Sequence, residues 1–139
     1  MDQVILFHYE NIDFQIEHEQ KFIDWILEIC TSHGLKPECI NYIFADDAYV
    51  LEINREHLEH DFFTDIITFP ISKDPLCIDI YISVDRVKEN GTTYKVSFEN
   101  ELKRVMAHGI LHVAGFGDKK EEEAIQMRLE EEKAIALFK

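Results

Sequence analysis

His108 and His112 lie four residues apart in the stretch ELKRVMAHGILHVAGFGD, which runs from Glu101 to Asp118. Positions four apart on a helix stack on one face, so two imidazoles at this spacing can grip one metal ion. The surrounding residues Leu102, Val105, Met106, Gly109, Ile110 and Val113 have the spacing of a buried helix. Ser97 is suited to cap its start and Gly115 to end it. Beyond Gly115 the chain must turn, which brings Asp118 within reach as a third ligand. Two imidazoles and a carboxylate leave a coordination position open for water, the arrangement of a catalytic zinc site rather than a structural one. One zinc, or another divalent ion, is therefore expected per chain, held by His108, His112 and Asp118.

The chain of 139 residues, 46% hydrophobic and 12% aromatic, is long enough for one good core and too short for two ordinary domains. A single domain over residues 1–139 is expected. No apolar run is long enough to cross a membrane, and the first residues, Met1 to Leu6, lack the basic region and small-residue cleavage site of a signal peptide. The expectation is a cytoplasmic protein without a membrane partner. Cys30, Cys39 and Cys77 have no C-x-x-C spacing and read as reduced, mostly buried thiols.

Strand-like runs cover Val4 to Tyr9, Cys39 to Ala45, Thr64 to Phe69 and Leu76 to Ser83. Helical spacing covers Glu19 to His33, with Trp25 in its core face. A second helix, capped by Asp46 or Asp47, carries Val50, Ile53, Asn54 and Leu58. A third runs from about Asp85 to Asn90 and breaks at Gly91. The histidine helix follows from Ser97, and Glu121 to Leu137 closes the chain with Ile125, Leu129 and Ala136 on its inner side. This order predicts an α+β fold with a mixed sheet of about four strands and the histidine helix packed on one face.

A formal net charge of −14 argues against broad nonspecific binding to nucleic acid, which depends on basic patches that displace counterions from phosphate. It does not exclude a nucleic-acid substrate. Much of the acid lies in Glu121 to Glu123 and Glu130 to Glu132, which a helix can turn to solvent. Lys103, Arg104, Lys119 and Lys120 flank the metal stretch and form a local basic cluster. The phenylalanines fall mostly at core spacing, with Phe62 and Phe63 in a loop before Thr64 as the exceptions.

Three blocks in order carry a resemblance to a known family. They are Asn54-x-x-x-Leu58-x-x-Asp61-x-x-Thr64-Asp65-Ile-Ile-Thr-Phe69-Pro70, then Asp79-Ile-x-Ile-Ser83-x-Asp-Arg-Val87, then Phe98-x-x-Glu101-Leu-x-x-Val105-x-x-His108-Gly109-x-Leu111-His112-x-x-Gly115-Phe116. Together they resemble the YbeY family of bacterial endoribonucleases, from about Ile43 to Asp118. The resemblance implies a metal-dependent, zinc-binding endoribonuclease that acts on single-stranded RNA. It also implies ribosomal RNA and the small ribosomal subunit as partners, in maturation of the small-subunit RNA 3′ end and in ribosome quality control. Two positions depart from the family. Its motif is His-x3-His-x5-His, and the third ligand position is Asp118 here, which would lower the charge of the metal complex by about one unit. Where the family commonly has an arginine thought to contact RNA phosphate, this chain has Leu58.

The chemistry implied is hydrolysis of a phosphodiester assisted by the metal. No residue declares itself as the general base. Asp65 and Asp79 are candidates because each sits in a motif block, with structural roles at strand ends as the alternative. His57, His60 and Lys119 are candidates for substrate contact. Two other functions fit part of the pattern: a noncatalytic ribosome-assembly or RNA-binding factor with a structural metal, and a metalloprotease. The protease motif His-Glu-x-x-His needs a glutamate where this chain has Gly109.

Overall fold

The computed structural model describes residues 4–59 and 63–139. Its elements are β1 (Ile5–Glu10), α1 (Glu19–Ser32), β2 (Pro37–Ala45), α2 (Asp47–Leu58), β3 (Ile66–Lys73), β4 (Leu76–Ser83), α3 (Val84–Tyr94), α4 (Phe98–Val113) and α5 (Glu121–Ala136). The strands form one mixed sheet of order β1-β2-β4-β3. β1, β2 and β4 run parallel, and β3 pairs antiparallel with β4, with Thr68 opposite Ile80. The fold is thus the expected single α+β domain with the histidine helix on the sheet.

Alternation along the strands sorts the sheet into two faces. Ile40, Tyr42, Phe44, Ile78, Ile80 and Ile82 are buried in the large core with residues of α1, α4 and α5. The opposite face carries Ala45 and Ile67, packed against Val50 and Ile53 of α2. Two buried hydrogen bonds tie helices into the large core. The Tyr42 hydroxyl donates to the Met106 carbonyl of α4 at 2.9 Å, and the Trp25 indole donates to the Ala134 carbonyl of α5 at 2.7 Å. Each satisfies a polar tip that burial would otherwise leave costly.

Three sequence expectations need correction. β3 continues through Pro70 to Lys73 rather than stopping at Phe69. It can do so because it is an edge strand, where a missing N–H need not break a ladder, and the pairing shifts register between Pro70 and Ser72. Gly91 does not end α3. It is buried inside the helix, and a Cβ there would lie 3.3 Å from the Val96 carbonyl oxygen, so it permits the α3–α4 turn to close tightly; the helix stops instead at Lys95, in a left-handed conformation. On α5 the expected inner face is the outer one. Ile125 and Leu129 are 58% and 51% exposed, whereas Glu130 and Glu131 are buried.

α4 approaches the sheet most closely at Gly109. A Cβ there would meet Ile80 Cδ1 at 3.1 Å, Ile66 Cδ1 at 3.2 Å and Thr68 Cγ2 at 3.3 Å. Gly109→Val is therefore expected to overpack this contact and lower stability by about 1–3 kcal/mol in urea unfolding. An unchanged midpoint would show that the helix can stand away from the sheet at no cost.

Candidate metal centre

Ser97 caps α4 as the sequence suggests, its hydroxyl accepting from the Asn100 amide at 3.0 Å. At the other end, the Gly115 amide donates to His112 O at 3.1 Å and the Phe116 amide to Leu111 O at 3.0 Å. This pair of bonds closes a helix through a residue of positive φ, and Gly115 has φ 112°. The chain reverses there. Phe116 is held edge-on by His33, the residue that follows α1, with ring centroids 5.5 Å apart, and the Lys120 amide donates to Glu123 Oε1 at 3.2 Å to start α5. Between these two anchors sits Asp118.

The reversal carries Asp118 back over the histidines. Its Oδ2 lies 3.3 Å from His108 Nε2 and 3.4 Å from His112 Nε2, and the imidazoles stand nearly perpendicular with centroids 4.5 Å apart. One potential ligand atom from each of the three residues falls within 4.8 Å of the others. The donor set fits a divalent ion. Ligand bonds of about 2.0–2.2 Å at a tetrahedral angle give ligand–ligand separations of about 3.3–3.6 Å. The two histidine–aspartate separations agree with that range.

A cleft of about 340 Å³ opens onto this cluster, with Thr64, Asp65, Thr68 and Arg104 also in its walls. Thr64, Asp65 and Thr68 come from the start of β3 and the loop before it. The Asp65 carboxylate accepts from Asn90 Nδ2 at 3.2 Å. Burial pushes its pKa above the ordinary aspartate value, and the positive charges of Arg104 and His108 only partly oppose that shift.

The wall behind His108 is a buried ionic cluster that the sequence reading missed. Glu131 Oε2 lies 2.6 Å from His108 Nδ1, and Arg104 Nη1 lies 3.3 Å from Glu131 Oε1. The same guanidinium binds Glu101, whose side chain is fully buried. Burial works against the charge on Arg104, but its bonds to Glu101 and Glu131 outweigh that and raise its pKa. Burial likewise favours protonation of Glu131. The hydrogen bond to His108 and the charge of Arg104 win, however, and hold its carboxyl below the usual range. Arg104 is thus committed to carboxylates rather than offered to a substrate. Two spacings could have revealed the cluster. Glu101, Arg104, His108 and His112 form one stripe on α4, and Glu131 shares a face of α5 with the buried Met127 and Ala134.

The remaining sequence candidates fall elsewhere. Asp79 lies on the opposite face of the sheet, where it accepts from Asn41 Nδ2 at 3.0 Å, and it does not share the histidine cleft. His57 is exposed at the end of α2 and packs edge-on against Phe69 on that same far side. His60 and Phe62 lie outside the described residues. Lys119 is exposed beside Asp118, Leu58 is 38% exposed, and Phe63, 53% exposed, sits 5.5 Å from the Arg86 guanidinium.

An α+β domain with two histidines and an aspartate converging at the mouth of a helix–sheet cleft has the build of a metal-dependent hydrolase. The model of the Endoribonuclease YbeY family matches residues 5–139. The chain is 47% identical over 136 residues to the Endoribonuclease YbeY of Flavobacterium psychrophilum, covering 97% of this chain and 96% of that one. It is 38% identical over 140 residues to the corresponding protein of Cytophaga hutchinsonii, covering 99% and 98%. A protein of Thermotoga maritima solved in solution shares the fold, with a TM-score of 0.64 and 24% identity over 96% of this chain and 89% of that one. The chain belongs to the endoribonuclease YbeY family.

Purified protein stripped with chelator is expected to take up about one zinc per chain, and His112→Ala to lose that uptake while keeping its circular dichroism spectrum. Undiminished uptake by a His108→Ala, His112→Ala double variant would move the site elsewhere.

Proposed function

We propose that this chain is a zinc-dependent endoribonuclease that cuts single-stranded segments of ribosomal RNA in the cytoplasm. Its place of action would be the small ribosomal subunit, in maturation of the 3′ end of its RNA and in ribosome quality control. The observation that carries this reading is the convergence of His108 Nε2, His112 Nε2 and Asp118 Oδ2 at the mouth of a cleft, in a chain of the endoribonuclease family. Among the described residues no helix is long and apolar enough to cross a membrane.

A divalent ion held by His108, His112 and Asp118 would supply a Lewis acid at the scissile phosphate and ease ionisation of the attacking water. The chain's own residues divide the rest of the work. Asp65, raised in pKa by burial and facing the same cleft, is the group to take the proton from that water. Thr64 and Thr68 line the cleft where nonbridging phosphate oxygens would need donors, although the Thr64 hydroxyl already donates to the Ile66 carbonyl at 3.3 Å. Lys119, exposed and next to Asp118 in sequence, is the cation proposed to meet the RNA backbone in a chain otherwise strongly acidic. Gly109 weighs against the metalloprotease reading, because it stands where that chemistry requires a glutamate.

The test is incubation of the zinc-loaded protein with small-subunit RNA fragments, beside a His108→Ala, His112→Ala control. Cleavage by the wild type alone is expected; equal cleavage by both, or by neither, would contradict the reading. Asp65→Asn is expected to reduce kcat by about 10²–10⁴-fold while zinc affinity holds. A kcat within a few-fold of wild type would remove Asp65 from the mechanism.

A further inference from the structure

The acidic run Glu130 to Glu132 has the composition of a solvated helix face, yet two of its three members are buried. They do different things. Glu130 contacts Gln126 and Lys133 near the surface, at 3.0 and 3.1 Å. Glu131, 2% exposed, turns inward and places one carboxylate oxygen 2.6 Å from His108 Nδ1. That contact is short for a nitrogen–oxygen hydrogen bond, as charge-assisted ones are.

From this geometry we infer that Glu131 is the positioning residue of the metal centre. It keeps the proton of His108 on Nδ1, so that Nε2 presents its lone pair to the ion, and Arg104 anchors it in place. The inference rests on the metal reading above and assigns a role to a residue outside the three ligands. An ionised carboxylate can only accept, so the ring nitrogen facing it must carry the hydrogen. The other nitrogen is then the one aimed at Asp118 Oδ2, 3.3 Å away. A carboxylate behind a ligating histidine fixes the tautomer, orients the ring and raises the basicity of the ligating nitrogen.

The anchor is as specific as the contact. Arg104 reaches Glu131 Oε1 at 3.3 Å with one nitrogen while its Nε donates to Glu101 Oε1 at 2.9 Å. Arg104 Nη1 also lies 3.4 Å from Glu131 Oε2, so one guanidinium nitrogen spans both carboxylate oxygens while Nε and Nη2 hold Glu101. Arg128 adds a second, more distant guanidinium, its Nε 3.9 Å from Glu131 Oε1, and the shortest contact of Glu131 is with the ring of His108. His112, 33% exposed, is the more open of the two imidazoles, so the burden of rigid placement falls on His108, 15% exposed.

Two measurements test the inference. In metal-free wild-type protein at mildly alkaline pH, nitrogen-15 correlation spectra of the imidazoles should show His108 with its proton on Nδ1 and a bare Nε2. A proton on Nε2 would overturn the inference without any variant having to fold. Calorimetric titration with zinc should then show Glu131→Gln weakening affinity by about 10–100-fold, while Glu130→Gln stays within about 2-fold of wild type. A Glu131→Gln affinity within about 2-fold of wild type, or a loss in Glu130→Gln as large as that in Glu131→Gln, would overturn the inference. Failure of wild-type protein to bind zinc would instead sink the metal reading, while the tautomer would still report on Glu131.

Discussion

The close approach of α4 to the sheet at Gly109 is the constraint from which the site follows. With Ile80, Ile66 and Thr68 all within 3.3 Å of where a Cβ would stand, the helix can sit only one way on β3 and β4. One turn of rotation geometry then decides everything else on it. Residues at the contact, such as Val105, Met106 and Ile110, are buried in the core. His108 and His112, at the edge of that buried stripe, emerge where the helix, β3 and α5 meet. A side chain at position 109 would press on Ile80, Ile66 and Thr68.

The second determinant is the balance of buried charge. Glu101 and Glu131 are almost wholly withdrawn from water, and each would be costly without a partner. Arg104 serves both, the more exposed Arg128 lies 3.9 Å from Glu131, and His108 completes the set. Removing a member of such a cluster exposes the others to an unpaired burial, so the ionic network and the imidazole position are coupled. The same cluster explains why a chain with net charge −14 gains no phosphate-binding arginine in its cleft: Arg104 is already spent.

Much of this arrangement was legible in the sequence. The helix bearing the histidines, its serine cap and its glycine end could be read because they rest on local rules of periodicity and capping, as could the succession of strands and helices along the chain. Tertiary context overrode local rules in two places. Pro70 stays within a strand because β3 lies at the sheet edge, a fact of topology that no short window contains. The face of α5 was inverted because its partners are charged: hydrophobic weighting selects Ile125 and Leu129, whereas the buried Arg104 and His108 select Glu131. Asp65 and Asp79 looked equivalent as motif residues, but Asp79 lies within β4 on the far face of the sheet, whereas Asp65 precedes β3 and lines the histidine cleft.

The central claim is that three side chains, from one helix and the turn that follows it, bind a single ion. A crystal structure of the zinc-loaded protein, with anomalous data collected across the zinc absorption edge, addresses it most directly. The account requires one anomalous peak per chain, bonded to His108 Nε2, His112 Nε2 and Asp118 Oδ2 at about 2.0–2.2 Å. A peak bonded through His108 Nδ1, or one from which Asp118 has turned away, would contradict it.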